Sequence, residues 1–288
     1  MRVLVTGVKG QLGYDVVNEL NKRNHEAIGV DVEEMDVTDK AAVYRVIGEA
    51  KPDAVVHCAA WTAVDAAEDP DNYDKVMKIN ALGTEYVARA CKTLDAKMTY
   101  ISTDYVFDGR GDEPWEPDCK DYAPLNVYGE SKLLGEKAVA GLSDKFFIVR
   151  IAWVFGKNGN NFIKTMLKLS ETRDVLRVVS DQIGTPTYTR DLARLLVDMI
   201  ETEKYGYYHA TNEGGYVSWA DFAKEIFLQA GKSTRVIPVT TAEYGLSKAR
   251  RPFNSRLDKS KLVASGFTPL PSWQDALKRY LAELNENA

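Results

Sequence analysis

The tightest constraint on the fold sits within the first thirteen residues. Val3-Leu4-Val5 is a short apolar run that reads as a buried strand, and it passes directly into Thr6-Gly7-Val8-Lys9-Gly10-Gln11-Leu12-Gly13 before a helical pattern that continues to about Leu20. A strand feeding glycines and then a helix can cradle a pyrophosphate. The glycines let backbone approach the anion closely, and the helix start offers free N–H groups and the positive end of its dipole. The spacing Gly-x-x-Gly-x-x-Gly departs from the Gly-x-Gly-x-x-Gly fingerprint, and a glycine cluster also suits a plain tight turn; the flanking strand and helix favour the nucleotide cradle.

The pattern then repeats. Ala27-Ile28-Gly29-Val30 reads as a second strand ending at Asp31, about where an acidic side chain meets the adenosine ribose. Thr38 is the expected N-cap of a helix reaching Ala50. A third strand, Ala54 to His57, runs into Cys58-Ala59-Ala60-Trp61, where small residues suit either a flat ligand or tight packing. A long helical region from about Tyr73 to Cys91 carries the polar Asn80, and a fourth strand, Met98 to Ile101, ends in Ser102-Thr103-Asp104-Tyr105. A helix over about 126–140 and a fifth strand, Phe146 to Val149, complete the first half. Strands alternating with helices predict an α/β fold, a Rossmann-type doubly wound parallel sheet with its ligand at the strands' C-terminal ends. Val175 to Val179 reads as a further strand of that sheet and Asp191 to Ile200 as a helix covering it. Turns and isolated helices elsewhere predict a smaller, interleaved C-terminal substrate domain. The expected division is 1–155 plus about 174–205 for dinucleotide binding, and about 156–173 plus 206–288 for substrate.

Asn126-Val127-Tyr128-Gly129-Glu130-Ser131-Lys132 opens the helix after the fourth strand, and the four-residue step puts the Tyr128 phenol and the Lys132 ammonium on one face. A free tyrosine keeps its proton to about pH 10, and a nearby cation favours the phenolate. Such a pair can exchange a proton near neutrality, whereas an isolated one is common surface decoration.

The net charge is −5 with dispersed basic residues, which argues against nucleic acid or an anionic membrane as the main partner. No apolar run approaches membrane-spanning length. Met1-Arg2 enters a strand pattern at once, leaving no room for a signal peptide, and the unpatterned Cys58, Cys91 and Cys119 suit a reducing, cytoplasmic setting. His25, His57 and His209 form no metal-ligand spacing, so no catalytic metal is expected.

Thr6-Gly7-x-x-Gly10-x-x-Gly13, Thr103 after the fourth strand and Tyr128-x-x-x-Lys132 together resemble the extended short-chain dehydrogenase/reductases. Longer strings narrow the likeness: Ser102 to Gly109, Pro124 to Gly129, Gly159 to Phe162 with Lys164 to Met166, Asp181 to Thr187, and Arg251-Pro252 before Asn254-Ser255 resemble the dTDP-4-dehydrorhamnose reductase family. That resemblance implies reduction of the C4 ketone of dTDP-4-dehydro-L-rhamnose by NADPH or NADH. It implies Tyr128 as general acid, Lys132 as the group that holds the nicotinamide ribose and depresses the phenol's pKa, and Thr103 as a hydrogen-bond partner of the sugar oxygen or the phenol. Asp104 and Trp153 become sugar contacts, Trp153 serving equally well as a core residue after the fifth strand. Gly7, Lys9, Gly10, Gln11, Leu12 and Gly13 would line the pyrophosphate, Asp31 the ribose, Asp36 and Val37 the adenine, and Ala59, Ala60 and Trp61 the cofactor midsection. Asn160 or Asn161 and Arg250 or Arg251 become candidates for the nucleotide-diphosphate end, the arginines alternatively forming a solvated turn.

The choice between NADPH and NADH stays open: Asp31 repels a 2′-phosphate, while Lys9 can reach one. Some relatives bind magnesium through acidic side chains at a dimer interface, and Arg190 stands where such a carboxylate belongs, so neither metal nor that dimer is assumed; the expected state is monomer or homodimer. Two other functions use similar parts. A nucleotide-sugar epimerase or dehydratase shares the Tyr/Lys pair, although Tyr105 follows Asp104 where a dehydratase usually needs a glutamate. A non-catalytic, nucleotide-binding regulatory subunit is the third, and the presence of Thr103, Tyr128 and Lys132 argues against it.

Overall fold

The computed structural model describes residues 1–286 of the chain. Its first half alternates β1 (Arg2–Thr6), α1 (Gln11–Lys22), β2 (Glu26–Val30), α2 (Lys40–Ala50), β3 (Ala54–His57), α3 (Val64–Ala67), α4 (Pro70–Met77), a π-helical stretch (Lys78–Gly83), α5 (Thr84–Thr93), β4 (Lys97–Thr103), α6 (Val127–Leu142) and β5 (Phe146–Ile151). The second half adds β6 (Val154–Phe155), α7 (Phe162–Ser170), β7 (Val175–Val179), β8 (Ile183–Gly184), β9 (Thr187–Tyr188), α8 (Thr189–Ile200), β10 (Gly206–His209), β11 (Val217–Ser218), α9 (Trp219–Gln229), β12 (Arg235–Val239), α10 (Thr241–Tyr244), α11 (Ser260–Ala264) and α12 (Trp273–Asn285).

A six-stranded sheet in the order β10-β5-β4-β3-β1-β2 forms the centre, and every pairing in it is parallel. Side chains alternate across it because a strand's period is two. In β1, Val3 and Val5 join the core under α1 and α8, whereas Leu4 joins the core under α2, α5 and α6; β3 and β5 divide in the same way. Helices on both faces make this the expected doubly wound sheet. The chain leaves β1 for β2 on one side and reaches β3 on the other, so a crevice opens at the C-terminal ends of β1 and β3.

Three readings of the sequence change here. Val175–Val179 is a strand, yet it pairs with β12 in a separate two-stranded sheet and packs with α7, α9 and α12 in a core of its own. Gly206–His209, expected with the substrate half, is the sixth strand of the central sheet beside β5, so the stretch 174–205 divides, with α8 on the main sheet and β7 away from it. An apolar run reports that a strand is buried but not which sheet buries it. The cap of α2 is Asp39 rather than Thr38; its carboxylate accepts from the N–H groups of Ala41 and Ala42. The helical region after Tyr73 contains a π-helical stretch around Asn80, whose amide clamps the neighbouring loop by accepting from Trp61 N–H (2.8 Å) and donating to Trp61 O (3.0 Å) and Ser131 Oγ (2.9 Å).

Candidate active site

The three glycines have separate duties in shaping the turn after β1. Gly7 has φ of +68°, and a Cβ there would stand 2.8 Å from the Ala59 nitrogen. A Cβ on Gly13 would meet the Gly7 carbonyl oxygen at 2.3 Å, so only glycine lets α1 start against its own loop. α1 opens at Gly10 with no side-chain cap and no acidic residue in its first turn, leaving the helix start to an anion. The chain thus offers a cradle that any side chain would fill.

Two cavities meet over this turn, sharing Gly7, Gly10, Cys58 and Ala60. The smaller, of about 280 Å³, is lined by Lys9, Asp31, Asp36, Val37 and Ala59 among others. The Asp31 carboxylate accepts from the N–H groups of Lys9 (2.9 Å) and Val32 (2.9 Å), which ties the end of β2 to the glycine turn. The larger, of about 410 Å³, is lined by Gln11, Leu12, Gly13, Thr103, Asp104, Tyr128, Lys132, Trp153 and Asn160. Residues more than one hundred positions apart therefore face a single space. The sheet accomplishes this by aligning the C-terminal ends of β1, β3, β4 and β5.

Asn126 caps α6 by accepting from Gly129 N–H (2.8 Å), which fixes the helix start and brings Tyr128 and Lys132 into the cavity. Burial drives the Tyr128 phenol well above its usual pKa, reinforced by the Asp104 carboxylate and opposed by the Thr103 hydroxyl. This differs from the expected depression by Lys132, because burial penalises the phenolate. The phenol therefore holds its proton at neutral pH. Burial lowers Lys132 to about 7, with Glu136 and Cys58 pulling it back up. Its Nζ lies 4.1 Å from the Tyr100 ring centroid, a cation–π contact.

Asp104 is raised to about 6 by burial, against hydrogen bonding from Ser255 and Thr103. Thr103 Oγ1 donates to Asp104 Oδ1 (2.9 Å), and the same hydroxyl accepts from Tyr105 N–H at 3.3 Å. Trp153 is half-buried, has φ of +51°, and lies stacked on Trp219 with ring centroids 3.6 Å apart. A left-handed backbone at a non-glycine residue costs on the order of 1–3 kcal/mol, and an aromatic pair returns about 0.5–1.5 kcal/mol. Gly184 is explained by the same ring, which a Cβ there would touch at 2.9 Å.

Beyond Trp219 a third cavity of about 290 Å³ is lined by Asp65, Phe162, Arg177, Gln182, Tyr244 and Arg251 among others. Arg251 donates to Asp65 Oδ2 (2.6 Å) and, more weakly, to Tyr105 Oη (3.4 Å). The Arg251-Pro252 string packs directly on the Ser102-to-Gly109 string: Asn254 N–H donates to Gly109 O (2.8 Å), and Gly109 leaves no room for a Cβ beside Pro252.

Other candidates lie elsewhere. Asn161 lines none of these cavities. It caps α7 and donates to Gln11 Oε1, Gly156 O and Tyr280 Oη, so its amide is spent on structure. Arg250 is exposed, and its carbonyl, not its guanidinium, is engaged, by Asn126. The Trp61 indole turns back to its own loop, donating to Ala63 O (3.0 Å). Thr62, Val64, Tyr105 and Cys58 line the larger cavity without having been singled out as site residues, and Asp65 and Trp219 line the third. The loop after Ala60 was the available pointer to Thr62 and Val64; nothing local marks Trp219.

Glycine turn, paired cavities and the convergence of Thr103, Tyr128 and Lys132 define the class: an extended short-chain dehydrogenase/reductase. The family model described as RmlD substrate binding domain matches residues 1–286. A dTDP-4-dehydrorhamnose reductase of Aggregatibacter actinomycetemcomitans is 42% identical over 98% of this chain and 98% of its own length. The spore coat polysaccharide biosynthesis protein SpsK of Bacillus subtilis is 41% identical over 98% of this chain and 97% of its own. A crystal structure of dTDP-4-dehydrorhamnose reductase from Bacillus anthracis in complex with NADP superposes with a TM-score of 0.93 at 43% identity, covering 98% of this chain and 99% of that one. The chain belongs to the dTDP-4-dehydrorhamnose reductase family.

Proposed function

We propose that the chain reduces the C4 ketone of dTDP-4-dehydro-L-rhamnose to dTDP-L-rhamnose with NADPH or NADH. The observation that carries this reading is one cavity lined by the Tyr128 phenol, the Lys132 amine and the Thr103 hydroxyl beside the glycine cradle. The cradle suits a dinucleotide: Gly7, Gly10 and Gly13 admit a pyrophosphate, Asp31 meets the adenosine ribose, and Asp36 and Val37 flank the adenine lobe. When bound there, the reduced nicotinamide supplies a hydride.

Tyr128 gives its proton to the ketone oxygen, a task for which a high pKa keeps the phenol loaded. Lys132 stabilises the phenolate left behind. The Thr103 hydroxyl, which here donates to Asp104 Oδ1 (2.9 Å), turns to the ketone oxygen of bound substrate and shares its negative charge, leaving the Asp104 carboxylate to accept from a sugar hydroxyl. Trp153 offers an indole face to the apolar side of a deoxysugar. Arg251, at the third cavity, grips the diphosphate, and that cavity takes the nucleoside.

The test incubates the protein with NADPH or NADH and dTDP-4-dehydro-L-rhamnose while following reduced-cofactor absorbance and sugar products. Oxidation matched mole for mole by dTDP-L-rhamnose supports the reading. Interconversion of sugars without net oxidation assigns an epimerase instead, and binding without turnover a regulatory subunit.

A further inference from the structure

One buried charge pair lies outside the machinery described so far. Arg150 on β5 is fully buried and meets Glu136 on α6 with two hydrogen bonds, Nε to Oε1 and NH2 to Oε2, both 2.8 Å. The same guanidinium donates to Pro117 O (3.0 Å) and Tyr122 Oη (3.0 Å), and faces the His209 ring of β10 at 3.3 Å. It therefore clasps the segment after Thr103-Asp104 to the helix that carries Tyr128 and Lys132. Glu136 is one turn beyond Lys132, on the same face of α6.

A hydrophobic pair of this volume would pack as well, because burying two ions is costly even when they are matched. The pair's position suggests what it does. The groups turned toward Lys132 are His57 at the end of β3 and Cys58 just after it, Tyr100 from β4, and Tyr128 and Glu136 from α6. Both His57, lowered to about 3, and Cys58, raised to about 12, are neutral at physiological pH, and both phenols keep their protons. Glu136, held by the Arg150 guanidinium, is the one carboxylate among these groups.

We propose that Glu136 is a positioning residue: its carboxylate keeps the Lys132 ammonium charged, and the two-pronged bond from Arg150 sets both how much of that charge Lys132 feels and the rotation at which α6 presents Tyr128. Burial alone would strip Lys132 of its proton near neutrality, and Glu136 opposes it. The proposal rests on the reductase reading only for its kinetic arm.

The test has two parts, both on the full chain saturated with NADPH. In the first, the pH dependence of kcat/KM is measured for Glu136→Gln, Arg150→Met and the double variant. Loss of the Lys132 proton sets the alkaline limb. Glu136→Gln moves it down by about one pH unit, Arg150→Met moves it up, and the double variant, with no net change in buried charge, returns it toward the parent. A merely structural role would lower the rate in both single variants and leave the limb in place. In the second, the Glu136 carboxyl carbon of the unaltered protein is followed by carbon-13 NMR, where its resonance inflects at the pH at which Lys132 deprotonates. Limbs that shift together or not at all, or a Glu136 resonance flat through the Lys132 titration, overturn the proposal. Should the single variants fail to fold, the NMR titration decides alone; it also holds for a protein that binds cofactor without turnover.

Discussion

The two ends of the cleft are built by different means. The cofactor end is made of backbone: Gly7, Gly10 and Gly13 fall within seven consecutive residues, and what matters there is the absence of side chains. The far end is made of side chains from α3, α7, β7, α9, α10 and the loop around Arg251, tied across the chain by contacts such as Asp65 to Arg251. A backbone cradle recognises what every dinucleotide shares, so it is written locally and tolerates little change. A side-chain pocket can change one residue at a time, which is where substrate choice is set.

The largest effect belongs to the point where the ends meet. Tyr128→Phe is expected to lower kcat by about 10²–10⁴-fold, with the NADPH dissociation constant changed by less than about threefold in a fluorescence titration. An unchanged rate removes the phenol from the chemistry. Next comes a crossed pair. Gly13→Ala drives a methyl into the Gly7 carbonyl and weakens cofactor binding by about 10- to 100-fold while leaving dTDP binding intact. Arg251→Met raises KM for the nucleotide sugar by about 10- to 100-fold, the loss of a charge-assisted bond, and leaves cofactor affinity alone. If either variant harms both ligands equally, the division between the ends is not real.

Asp104 sharpens the comparison through stability. Its folded pKa, about 6, is raised above its usual value, so the fold holds the proton more tightly than the unfolded chain does. Its contribution to stability is fully present below about pH 4 and is lost as pH rises through 6. Asp104→Asn is therefore expected to raise stability at pH 8 by about 1–3 kcal/mol, to leave it unchanged at pH 4, and to lower activity throughout, as urea unfolding and turnover at the two pH values will show. The smallest effect is at the adenosine ribose. Lys9 already pairs with Glu33 at 2.6 Å with both side chains more than half exposed, so Lys9→Ala should shift the NADPH-to-NADH preference by less than about fivefold in paired kcat/KM measurements.

That contrast also explains what the sequence disclosed. Short apolar runs and the glycine turn are local signals, so β1, β3, α6 and the positions of Thr103, Tyr128 and Lys132 at strand and helix ends were readable in order. The partner of β7 was not readable, because burial on both faces looks alike in either sheet. Asn160 and Asn161 were indistinguishable as neighbours, and only the fold shows one at the cavity and the other capping α7. Arg250 and Arg251 divide in the same way, a single residue's step turning one guanidinium to solvent and the other to Asp65. The phenol's pKa was misjudged for a related reason: the spacing to Lys132 is visible in a sequence, but the depth of burial is not.

The most direct measurement supplies NADPH carrying deuterium at both C4 positions of the nicotinamide, together with dTDP-4-dehydro-L-rhamnose, and locates the label by NMR. One deuterium at C4 of the product sugar for each cofactor oxidised is the outcome required if Tyr128, Lys132 and Thr103 face substrate and nicotinamide together. A sugar that is altered but unlabelled, or both deuteriums retained on the cofactor, would contradict it.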